Sequence, residues 1–257
     1  MSHASDPAAP RIVAGAEYVE HITALESDRR ARSAFQDLVL RIARPGGMLY
    51  DFGCGTGLDA RFYAERGFAV RAYDVDPAMC EYFRAHCRDL IEAGRVTLEE
   101  GGYRDFLARN RAASGGVDLV TANFAPLSLI DNLRELFATL HALTAPNGMV
   151  LASVLSPYFL GDLKYRWWWR NLPSLLRHGR YMVAGAQAPI VRRRVADFAA
   201  QSAPYFTLTG VFRGLPRRQP QRTGGSERSG RASWPGLSTC RFMFLLFARR
   251  AGGEVPH

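Results

Sequence analysis

Lysine is almost missing from this chain: Lys164 is the only one, and every other basic side chain apart from histidine is an arginine. Long apolar runs are missing as well. No stretch of about 18 uncharged apolar residues occurs, which excludes a helix that spans a bilayer. The opening "MSHASDPAAP" has no basic stretch followed by an apolar one, so it does not read as a signal peptide. It predicts a flexible tail over 1–14, and 251–257 a second one. Cysteine is sparse. Cys54, Cys80, Cys87 and Cys240 form no C-x-x-C and no zinc spacing, so neither a disulfide framework nor a metal site is expected. They read as reduced thiols in a cytoplasmic protein.

What is present suits one domain with a sizeable core: 257 residues, 47% hydrophobic. The net charge of +9 is unevenly spread. Residues 1–160 hold 16 arginines and 20 acids, whereas 161–250 hold 17 basic residues and 3 acids. Such an asymmetry fits an acidic partner, nucleic acid or an anionic membrane surface, or else a simple bias toward arginine.

Hydrophobic spacing predicts a helix over 15–43, with Tyr18, Ile22, Leu25, Phe35, Leu38, Val39 and Ile42 in phase. "RPGG" stops it, and "MLYDFG" (48–53) reads as a buried strand. Helix 58–66, strand 68–75, a helix from Pro77 to Gly94, strand 95–100, helix 103–110, strand 117–124, helix 128–144 and strand 149–155 follow. This alternation implies a mostly parallel sheet covered on both faces. Residues 156–188 are aromatic, basic and without regular spacing. Residues 190–201 read as helix, 205–212 and 238–250 as strands. Residues 214–236 hold almost nothing that could be buried and predict a mobile loop. Two last strands with no helix between them predict an antiparallel pair at the sheet edge.

The informative stretch is "YDFGCGTGLDARFYAERGFAVRAYDVDP" (50–77). Gly53, Gly55 and Gly57 sit between a strand and a helix, where free backbone N–H groups can meet a ligand and glycine permits close approach. The spacing is neither the dinucleotide fingerprint nor a P-loop. "LYDFGCGTGLDA" and "AYDVDPAM" resemble the first two motifs of class I S-adenosylmethionine-dependent methyltransferases, and "VDLVTANFAPLSLI" and "LTAPNGMVLASVL" resemble that family's fourth- and fifth-strand segments.

The resemblance covers about 15–155 and the closing strand pair. It implies a Rossmann-like, seven-stranded, mostly parallel sheet in a single domain over 15–250, with lid helices over 15–45 and an acceptor-side insertion over 156–188. It implies S-adenosylmethionine as cofactor. Asp51, Gly53, Gly55 and Gly57 would line the cofactor, and Asp74, followed by Val75, would hold the ribose hydroxyls. Tyr18 would cover the cofactor, and Asn123 would face cofactor or acceptor. Where many relatives carry an acid after the third strand, Gly102 stands here, which leaves the adenine to Tyr103 or to main-chain contacts.

No base stands out. His21, one turn from Tyr18, Asn123 and Tyr158 are the candidates, and Asp59 reads as a helix-capping acid. Tyr158, Trp167 and Trp168 would grip a flat or apolar acceptor. The implied activity is methyl transfer to a small molecule, with an acceptor on an acidic carrier protein fitting the basic half. The rival readings are a nucleic-acid methyltransferase, against which "NFAPL" lacks the Asp/Asn-Pro-Pro-Tyr/Phe pattern, and a non-catalytic cofactor-binding or peripheral membrane protein.

Overall fold

A computed structural model describes residues 25–111, 113, 115–183, 189–213 and 238–250. Tyr18, His21, both tails and the 214–236 loop lie outside the described residues. The first described helix, α1 (Glu26–Ile42), presents Phe35, Leu38 and Val39 to the core. Phe35 is fully buried and meets Phe244 edge-on, with ring centroids 5.2 Å apart. The described part of the expected lid stretch is therefore a packed core helix.

The strands are β1 (Met48–Phe52), β2 (Ala69–Asp74), β3 (Val96–Glu100), β4 (Val117–Ala122), β5 (Thr144–Leu155), β8 (Phe206–Arg213) and β9 (Phe242–Arg249). They form one seven-stranded sheet in the order β3-β2-β1-β4-β5-β9-β8. The β1–β5 pairings are parallel, and β9 lies antiparallel to both β5 and β8. Short buried runs such as "MLYDF" suit such strands because both faces are covered. On one face lie α1 and α2 (Leu58–Ala64), with Ala60, Tyr63 and Phe83 buried there. On the other lie α5 (Tyr103–Asn110) and α6 (Leu133–Leu143), which bury Phe106, Leu136, Phe137 and Leu140.

Three expectations need correction. The helix from Pro77 breaks at Cys87 (φ −106°, ψ 15°) into α3 (Pro77–His86) and α4 (Arg88–Glu92). The 190–201 segment begins as a strand, β7 (Ile190–Arg193), paired antiparallel with β6 (Arg180–Val183) in a separate two-stranded sheet, and only then turns into α8 (Val195–Ser202). The insertion is also more regular than its composition suggests: α7 (Arg166–His178) is a continuous helix.

Candidate active site

Switch points of parallel sheets open at the carboxyl ends of the strands. Here β1 and β4, neighbours at the centre, leave for helices at that edge. After Phe52 the chain turns sharply. The N–H groups of Gly53 and Cys54 both donate to the Tyr73 carbonyl, at 2.8 and 3.0 Å. Gly53, Gly55 and Gly57 take φ of 72°, 54° and 83°, values that L side chains rarely adopt. Two of the three positions are also crowded. A Cβ on Gly53 would stand 2.6 Å from Cβ of Pro126, and one on Gly57 2.7 Å from the Phe83 ring.

Asp74 ends β2 directly beside this loop. Its Oδ2 accepts from the Gly55 N–H at 2.7 Å and its Oδ1 from the Asp76 N–H at 2.9 Å. Each oxygen keeps a further lone pair. Burial pushes this carboxyl up, while the N–H donors of Asp76 and Gly55 pull it back. Val75, the next residue, is 56% exposed.

Asp51 lies one residue before the end of β1 and is buried. Its Oδ1 accepts from the Thr121 hydroxyl at 2.9 Å, but its Oδ2 has no partner within the described residues. Burial first, then the nearby Asp59 charge, push its carboxyl up to about 7, against the Thr121 bond and Arg32. An orphaned buried carboxylate oxygen costs about 1–3 kcal/mol or more, so this one suits a ligand that brings a donor.

Asp59 does not cap α2, whose N-cap is Gly57 with no side-chain bond. It is a buried hub instead. Arg32 Nη1 (2.5 Å) and Gln36 Nε2 (2.7 Å) reach it from α1, and Asn123 Nδ2 (3.0 Å) from the end of β4. Asn123 follows the last residue of β4, with its amide committed to Asp59 and, through Oδ1, to the Phe124 N–H at 2.9 Å. Phe124 and Ala125 then take φ of 57° and 64°. Left-handed backbone at consecutive non-glycine residues persists only where surroundings enforce it, commonly at functional sites. Arg32 lies 4.5 Å over the Phe124 ring and Phe242 meets that ring edge-on.

Tyr103 packs parallel to Phe106, centroids 6.2 Å apart, with its hydroxyl buried. Its ring is thus engaged by the core on one side. His141 lies beside Thr144, where β5 begins, and hence at the sheet edge opposite Leu155; it contacts Arg249 Nε at 3.1 Å.

The insertion holds a small core of its own, made by Trp168, Leu175, Tyr181 and Val183. Trp168 is 5% exposed and its indole N–H donates to the Pro157 carbonyl at 3.0 Å. This corrects the expectation that Trp168 faces an acceptor: it holds the insertion together. Tyr158 and Trp167 border that core and are half-buried. Arg192 is buried and bonds Asp162 at 2.6 Å and the Ser156 carbonyl at 2.8 Å. Arg193, wholly buried, donates to the carbonyls of Leu127, Ile130 and Asp131 at 3.3, 2.6 and 3.0 Å. Through the pairing of β7 with β6 it ties the insertion to the loop after β4. Nothing local in the chain marks either arginine as interior, because a charged residue is rarely buried without such partners.

The sheet order and the glycine turn define the class I methyltransferase fold. A family model for a methyltransferase domain matches residues 27–193, and the chain belongs to that family, the class I S-adenosylmethionine-dependent methyltransferases. The chain is 27% identical over 146 residues to a malonyl-[acyl-carrier protein] O-methyltransferase of Pectobacterium atrosepticum, covering 56% of this chain and 52% of that protein. It spans about half the length of the first curated relatives it matches. Among solved structures, 1,6-didemethyltoxoflavin-N1-methyltransferase of Burkholderia thailandensis, with S-adenosylhomocysteine bound, superposes with a TM-score of 0.57 at 19% identity over 95% of this chain and 93% of that one. A TehB-like S-adenosylmethionine-dependent methyltransferase of Corynebacterium glutamicum gives 0.56 at 15% identity over 91% and 96%. At such identities these two establish the fold.

Proposed function

We propose that this protein transfers a methyl group from S-adenosylmethionine to a small acid borne on an acidic carrier protein. The observation that carries the cofactor half is the pairing of Asp74 with the glycine loop beside the unsatisfied Oδ2 of Asp51. The glycines admit the ligand to the main chain, Asp74 accepts from the ribose hydroxyls, and Asp51 accepts from the amino group. Tyr18, Val75 and Asn123 remain proposed cofactor contacts. The cofactor supplies an electrophilic methyl on a sulfonium. The protein supplies alignment, worth roughly 7–11 kcal/mol in well-oriented reactions. A carboxylate acceptor needs no base, so the reaction makes no demand on His21, Asn123 or Tyr158 as a proton acceptor.

The acceptor half is supported by the malonyl-carrier methyltransferases among the relatives and by the basic excess of 161–250. Tyr158 and Trp167 are proposed to border the acceptor. Incubation with methyl-labelled cofactor and a malonyl-loaded carrier protein, with DNA and RNA in parallel, tests this reading. Label that appears as a base-labile ester on the carrier supports it. Label in nucleic acid, or none on the carrier, overturns it.

A further inference from the structure

Helix α7 has two unlike sides. Trp168 and Leu175 turn inward. Arg166, Trp169, Arg170, Pro173, Leu176 and Arg177 are all exposed, and they recur at the three- and four-residue spacing of one helical face. At 100° per residue, Arg166, Arg170 and Arg177 fall in one stripe, and Trp169 and Leu176 in a second stripe beside it. No acid lies in the helix. Trp169 is 56% exposed and Leu176 65%. Large apolar side chains gathered on a surface mark contact sites.

Trp169 is not loose. Its indole N–H donates to the Leu163 carbonyl at 2.8 Å, and its ring meets the buried Trp168 edge-on with centroids 5.0 Å apart. A fixed aromatic ring beside arginines is the composition of a protein-binding hot spot. A membrane-surface helix instead separates a broad apolar face from its basic face. Here the apolar stripe is narrow and borders the arginines directly.

We propose that the outward face of α7 docks an acidic surface of the carrier protein that brings the acceptor. The inference rests on the carrier reading above and adds where that carrier is held. Charge complementarity selects an acidic partner, and Trp169 and Leu176 supply its apolar contact. The position fits delivery: β7, paired with β6 of the insertion, reaches the loop after β4 through Arg193, at the carboxyl edge of the sheet.

The test compares malonyl-carrier protein with malonyl-pantetheine, which lacks the carrier's acidic surface. The triple variant Arg166→Glu, Arg170→Glu, Arg177→Glu should raise KM for malonyl-carrier by roughly tenfold or more, since like charges now oppose across the interface. Turnover of malonyl-pantetheine and S-adenosylhomocysteine affinity should stay at wild-type values, which also shows that the variant is folded. Trp169→Ala should weaken carrier binding in the same way. Equal losses on both acceptors, or none on either, overturn the docking site. Direct binding of the carrier protein, read by interferometry, separates this from the function itself. If wild type methylates neither acceptor, the carrier reading fails. The docking site then stands only if the carrier still binds wild type and not the triple variant. Failure of the carrier to bind wild type, with flotation on anionic vesicles lost in the triple variant, overturns it in favour of a membrane surface.

Discussion

The carboxylate of Asp74 accepts a hydrogen bond from the main-chain N–H of Gly55 at 2.7 Å. The end of β2 thereby holds the middle of the loop that leaves β1, and the ribose site and the glycine turn are one unit. Removing the acid should both loosen the loop and withdraw the ribose acceptor. Asp74→Ala should weaken S-adenosylhomocysteine binding by about 1.5–3 kcal/mol, the range of hydrogen bonds to charged groups. Isothermal calorimetry checks it; unchanged affinity would remove Asp74 from the site.

Asp51 should make cofactor binding depend on pH. Its carboxyl is raised from 3.8 to about 7, so between those values the folded protein holds a proton that the unfolded chain has lost. Cofactor-free stability therefore falls as pH rises through that window. The ionised form is the one that pairs with an ammonium group, so S-adenosylhomocysteine affinity should rise between about pH 6 and 8. Asp51→Asn should flatten that rise. A wild-type affinity that is level across this range contradicts the assignment.

The glycines should divide by what surrounds them. Gly57→Ala puts a methyl against Phe83 and Cys87 at a φ of 83°, and should lower the melting temperature. Gly55→Val, at a φ of 54°, costs roughly 1–2 kcal/mol of backbone strain and places a branched side chain at the ligand. It should stay folded by circular dichroism and lose cofactor binding. Retained binding in Gly55→Val would mean that the loop holds no ligand.

Two adjacent tryptophans should behave differently. Trp168→Ala should destabilise the protein by about 3–5 kcal/mol, as other buried aromatic truncations do, because it removes the centre of the insertion's core. Trp167→Ala, on the border of that core, should fold with a smaller loss and raise the acceptor KM. Thermal unfolding and steady-state kinetics on both variants separate the roles; the reverse pattern would exchange them.

Arg193 should be indispensable to the join between insertion and site. Arg193→Met leaves three carbonyls without their donor, and a buried acceptor left unpaired costs about 1–3 kcal/mol. Denaturant titration measures the loss. A variant as stable as wild type would show that the loop after β4 holds itself.

The glycine loop, Asp74 and the alternation of strands with helices were legible because they are local. A strand, a turn that needs positive φ and a helix follow one another within about 25 residues, and the chain itself dictates their adjacency. Asp59 was not legible in the same way. Alone it looks like an acid in a first helical turn, and its role as a hub arises only when Arg32, Gln36 and Asn123 arrive from 27, 23 and 64 residues away. The insertion misled for a related reason. Trp169 and Leu176 lie outside, which blurs the apolar period of α7, and β7 carries Arg192 and Arg193 inward, which hides a strand behind charge.

What the sequence determined by itself was the parallel sheet with its antiparallel edge, the glycine turn and the acid at the end of β2, since hydrophobic period and backbone freedom act over neighbouring residues. What only the tertiary structure decided was which charges lie inside. Asp51, Asp59, Arg192 and Arg193 are costly to bury alone, and each is tolerable to the extent that distant parts of the chain bring a partner. The carbonyls that accept from Arg193 lie more than 60 residues away. Those pairings decide that the insertion is fastened to the loop after β4, beside the proposed active site.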